Sequence, residues 1–150
     1  MAAAASYLRL LDQASIAPGT LARLRALTLA PLTAQALAAE AASAALARRI
    51  SFTGRAFIGG WRLGWQVASY TPTTARVAVW TMGMVERAGE VVAPDWSTTA
   101  CTLRWSAGGW KVSAAQTGSG PTPPSDGTDP AAVTAFVHSA SVFHPFTDAP

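Results

Sequence analysis

The chain has 150 residues, half of them apolar and 13% charged, with a formal net charge of +3. Those values allow one domain with a single sizeable core and exclude disorder along the whole length. Ahead of Glu86, eight arginines face only Asp12 and Glu40, and from Glu86 onward Arg87, Arg104 and Lys111 face six acids; this basic front and acidic back lack the clustered stripe or motif that nucleic-acid binding requires.

The opening MAAAASYLRLLDQ has neither a basic leader nor an apolar segment long enough for a signal peptide. No run approaches the roughly 18 apolar residues of a membrane helix. A soluble chain is expected, attached to a membrane only through an anchor that this sequence lacks. Tyr7, Leu8 and Leu11 have one-turn spacing, and Leu21, Leu24 and Leu27 repeat it after the APGT break. An alanine-rich third helix is expected from Thr33 to Arg49, with Ala41, Ala44 and Ala45 small enough for close approach to a sheet. ISFTGRAFIGG then breaks the helical period.

From residue 61 the period is two. TPTT at 71–74 is a turn, with Pro72 preset for its first central position. A four-residue loop pairs Trp65 with Trp80, Leu63 with Met82, Val67 with Ala78 and Trp61 with Met84 on one face. The second hairpin turns at SAGG, 106–109, pairing Trp105 with Trp110, Leu103 with Val112 and Cys101 with Ala114. Arg104 and Lys111 then fall opposite each other on the other, wet side. Because this pairing separates rings from charges, the tryptophans read as core rather than as a stacking platform for bases or sugars.

GSGPTPPSDGTDP at 118–130 is a connector, and Asp129 before Pro130 is a helix start. Val133, Phe136, Val137, Ala140 and Phe143 form one stripe ahead of Pro145, so a helix over 131–145 is expected to dock by that stripe. The organisation is one α+β domain at 1–117, a connector and a docking helix, with the antiparallel sheet curved around the N-terminal helices.

Chemistry is sparse. Tyr70, Asp95, His138 and His144 are the candidates for acid–base work, and nothing in their spacing brings them together. Asp95 reads as a turn or capping residue, His138 as solvent-facing and His144 as a helix-end residue. Cys101 is the only cysteine, so no intrachain disulfide forms, and an alternating apolar position makes it a small buried hydrophobe. Two histidines and one distant cysteine give no metal spacing, and the GG pairs are turn chemistry rather than phosphate cradles. No catalytic, metal or cofactor site is assigned; a binding or scaffolding domain is expected.

WRLGWQVASYTPTTARVAVWTMGM, followed by WSTTACTLRWSAGGWKV and GSGPTPPSDG, resembles actinobacterial proteins of conjugative elements. These are similar to the soluble TcpC-like domain of the membrane-anchored assembly factor of type IV secretion and conjugation systems. The resemblance implies a nuclear-transport-factor-two-like cone of helices closed by a bent sheet, with an extra C-terminal helix. It implies a non-enzymatic assembly role outside the cytoplasmic membrane, through contacts with other secretion components or by self-association as a homo-oligomer, without direct nucleic-acid contact. Carried onto this chain, Trp65, Tyr70, Pro72, Trp80, Trp96, Trp105 and Trp110 would define the fold, and Arg62, Arg104, Lys111, Phe136 and Phe143 would serve an interface. The alternative is a small-molecule enzyme of the same fold, resembling SnoaL-like cyclases or ketosteroid-isomerase relatives, with substrate in the open end of the cone.

Overall fold

A computed structural model describes residues 2–13, 20–29, 32, 34, 38, 56–87 and 90–146. Helices α1 (Ala2–Gln13) and α2 (Thr20–Leu27) come first. Four long strands follow: β1 (Ala56–Tyr70), β2 (Thr74–Arg87), β3 (Glu90–Ser106) and β4 (Gly109–Ser119). Helix α3 (Pro130–Ala140) and the two-residue strand β5 (His144–Pro145) complete the described elements. The strands form one antiparallel sheet in the order β4-β3-β2-β1-β5. The α+β class expected from the change of period is the class observed. The third helix expected at Thr33–Arg49 lies almost wholly outside the described residues.

One face of the sheet carries the main core. Helix α1 packs across the strands and α2 packs on α1 and β4. Ala4, Tyr7 and Leu8 of α1 and Leu24 of α2 meet Ala75, Val77 and Val79 of β2, Cys101 and Leu103 of β3, and Val112 of β4. These strand positions alternate, as a two-residue repeat with one buried face demands. Burying each of the larger aliphatic side chains contributes about 1.5–3 kcal/mol. Among the described residues the two buried threonines are both paired: Thr28 Oγ1 donates to the Leu24 carbonyl at 2.8 Å, and Thr99 shares a 2.9 Å bond with Thr117.

The hairpin registers match expectation near the turns and depart from it further along. Trp105 opposes Trp110, Leu103 opposes Val112 and Arg104 opposes Lys111, but Cys101 pairs with Ala115 rather than Ala114 because β4 carries a bulge at Ser113. In the first hairpin Tyr70 opposes Ala75, after which bulges at Ala68 and Leu63 slip the pairing twice. Trp65 therefore opposes Val79 rather than Trp80, Val67 opposes Val77 and Trp61 opposes Met82. A bulge inserts one unpaired residue, so every pairing beyond it moves by one. The expectation that Trp65 and Trp80 share a face is corrected: Trp65 lies on the Val79 side and Trp80 on the other. Two further boundaries differ, since β1 begins at Ala56 rather than 61, and β4 runs to Ser119, into the expected connector.

The β4 margin is met at Val112 by the chain itself. Thr28 bridges to Val112 in parallel, and the Leu29 N–H donates to the Val112 carbonyl at 3.0 Å. Lys111 reaches the carbonyl of Ala26 at the end of α2, where a cation meets the partial negative charge of the last turn.

Candidate functional site

The four candidates for acid–base chemistry are not assembled into a site. Asp95 is not a turn residue: it sits within β3 opposite Gly83 and is exposed. His138 is exposed on α3, as expected. His144 is not a helix-end residue; it forms β5, opposite Trp65, and its ring lies 4.9 Å from that indole. Tyr70 stands at the end of β1, on the turn side. Among the described residues no three His, Cys, Asp or Glu side chains are grouped to hold a metal ion. Cys101 is fully buried in the main core, and burial pushes its thiol up to about 11. Tyr7 is raised in turn, first by burial and then by the neighbouring Cys101. Both groups are held in their protonated forms, the reverse of an activated nucleophile.

The second face of the sheet is built from aromatic rings. Trp80 of β2 lies at its centre, with ring centroids 5.8 Å from Trp96, 6.1 Å from Phe136 and 5.9 Å from Phe143. The Trp80 indole N–H donates to the Pro121 carbonyl at 3.0 Å, which fixes the connector against the sheet. Asp129 then caps α3, its side chain accepting from the Ala131 N–H at 2.9 Å, and Pro130 supplies a preset first position. The helix ends at Ala140 rather than at Pro145. Beyond it the chain crosses β1 where Gly64 has no side chain: a Cβ there would lie 2.8 Å from Phe143 Cβ and 3.1 Å from the His144 carbonyl oxygen. Phe143 thus reaches the outer rings while Phe146 packs against the main core. The stripe residues Phe136 and Phe143 dock on this domain, and Val137 and Val142 are left exposed, Val137 at 56%.

A second group of rings marks the turn end. Tyr70 and Trp105 are exposed at 68% and 51%, and both lie near the half-buried Trp110, at 5.9 and 5.7 Å between centroids. These rings belong to the face that carries Leu103 and Val112. Pro72 is exposed in the first turn. Arg104 is exposed on the opposite face, Lys111 is occupied by α2, and Arg62 sits on β1 opposite Thr81. The pairing of Trp105 with Trp110 was legible from the alternation, but the expectation that the tryptophans are core is corrected at Trp61 and Trp105, which are 43% and 51% exposed. The outer cluster was not legible either, because the bulge at Ala68 parts Trp65 from Trp80. No helix of the described residues is long and apolar enough to cross a membrane.

A family model described as "Domain of unknown function (DUF8175)" matches residues 1–135. No curated protein matches the chain. Among solved structures, the intermembrane space region of the chloroplast protein ARC6 is similar at a TM-score of 0.48 and 13% identity, over 77% of this chain and 90% of that one.

Proposed function

The chain belongs to the family of the domain of unknown function DUF8175, and from that premise we propose that it is a non-enzymatic assembly domain of a conjugation-type secretion apparatus. In this reading the α+β unit is a nuclear-transport-factor-two-like cone with an added C-terminal helix. It works at the extracytoplasmic face of the membrane through contacts with other secretion components or with further copies of itself.

The observation that carries the reading is the way α3 is fastened. Phe136 and Phe143 hold the terminal segment to Trp80, while Val137 and Val142 point away from the domain and stay exposed. An apolar surface displayed on a firmly clamped element is what a protein partner can use, because little ordering is left to offset on binding.

The test is photo-crosslinking from position 137 in a host that carries the transfer genes. Adducts with apparatus components, together with loss of DNA transfer when the gene is deleted, are expected. Transfer at the wild-type rate in the deletion strain eliminates this role.

A further inference from the structure

The two turns lie at one end of the sheet. Thr74 pairs with Arg104, and the Trp105 N–H donates to the Thr73 carbonyl at 2.9 Å, so the tips of both hairpins stand side by side. Residues 61–85 and 96–125 contain no aspartate or glutamate. At this end Tyr70, Trp105 and Trp110 stand on one face, and Arg76 and Arg104, neighbours across the β2–β3 ladder, stand on the other. The turn residues themselves, Thr71 to Thr73 and Ala107 to Gly108, are uncharged.

We propose that this turn end docks edge-on into the headgroup layer of an anionic phospholipid bilayer. Three kinds of partner make different demands on such a surface. Single-stranded nucleic acid needs rings and cations on the same face, so that bases stack while phosphates pair. A protein hot spot draws on rings gathered on one side and makes no use of cations on the other. A headgroup layer surrounds the inserted tip on both sides. It takes amphipathic rings at interfacial depth and cations at the same depth opposite phosphates. Rings on one face and arginines on the other, level with each other on one sheet end, meet that third demand. The absence of acids from 61–85 and 96–125, the turn-side part of both hairpins, removes the repulsion that a negative surface would otherwise exert there. The proposal uses only the turn end and stands apart from the assembly role assigned to the α3 surface.

Co-sedimentation of the full chain with vesicles tests it. Phosphatidylcholine vesicles containing phosphatidylglycerol should bind, pure phosphatidylcholine vesicles should bind at least tenfold more weakly, and added salt should release the protein. Each arginine near an anionic surface contributes about fivefold to partitioning, so Arg76→Gln with Arg104→Gln should lower it by about 25-fold. Arg62→Gln, a charge-matched change away from the turns, should lower it less than twofold. Trp105→Ser with Tyr70→Ser should also weaken binding, while Trp105→Phe should keep it; unchanged thermal melts show that each variant is folded. Brominated lipid should quench wild-type tryptophan fluorescence, and less so in Trp105→Phe. The proposal fails if anionic vesicles do not bind the wild type, or if Arg62→Gln weakens binding as much as the turn-end pair. It fails equally if single-stranded DNA or an acidic peptide competes the protein off the vesicles while the aromatic variants bind normally.

Discussion

The indole of Trp80 and the carbonyl of Pro121 are joined by a 3.0 Å hydrogen bond that spans 41 residues of sequence. It ties the connector to the centre of the sheet and sets where α3 begins. Trp80→Phe keeps the ring contacts but removes the donor, and should lower stability by about 1 kcal/mol. Trp80→Ala also opens the aromatic cluster and should cost about 3–5 kcal/mol. Hydrogen exchange should then rise across 130–146 while α1 remains protected; equal loosening of α1 would show that the two faces are not separable units.

Gly64 should tolerate no side chain. A methyl group there meets Phe143 Cβ and the His144 carbonyl, and relieving that overlap requires the β5 crossing to lift. Gly64→Ala should cost about 1–3 kcal/mol and should quicken proteolysis after Phe143. Chemical denaturation that matched the wild type would contradict the close approach.

Ala107 occupies the left-handed region at φ 49, followed by Gly108 at φ 75. Two successive positive φ values define the tight hairpin turn for which Asn-Gly is preferred. Ala107→Asn should therefore stabilise the fold by about 0.5–1 kcal/mol, seen as a higher denaturation midpoint at unchanged slope. A lower midpoint would mean that the turn adopts another shape.

Cys101 makes stability depend on alkaline pH. Its thiol is raised from 9.0 to about 11 in the folded state, so the folded protein holds that proton where the unfolded chain has released it. Below about pH 9 there is no loss, and between about 9 and 11 the stability falls by up to about 1.4 kcal/mol per pH unit. Cys101→Ala should flatten that slope, leaving the smaller share due to Tyr7. In the native state the thiol should resist alkylation at pH 8 and react at once in denaturant; fast native alkylation would contradict its burial.

Much of this fold is legible in the chain because local chemistry and tertiary demand agree. Alternation placed Leu103, Cys101 and Val112 in the core, and the positive-φ turn at Ala107 and Gly108 set the register of Trp105 against Trp110. Asp129 and Pro130 marked the start of α3 for reasons confined to one helical turn. What alternation does not encode is an inserted residue. The bulges at Leu63, Ala68 and Ser113 leave the apolar pattern intact while moving the pairing beyond them. The bulge at Ala68 consequently put Trp65 opposite Val79 on the first face, apart from Trp80, which β2 presents to Phe136 and Phe143 on the second. Asp95 was misplaced for a related reason, since β3 continues well before Trp96 through Pro94, which gives no strand signal.

Thr28 and Leu29 lie against β4 at Val112, and this occupies that side of the sheet at one point with the protein's own backbone. A strand arriving from another molecule on that side would have to expel them. On the β1 side, β5 pairs only with Gly64 and Trp65. Edge-to-edge association through β1 alone would join like with like, and would end at two subunits instead of propagating into a fibre.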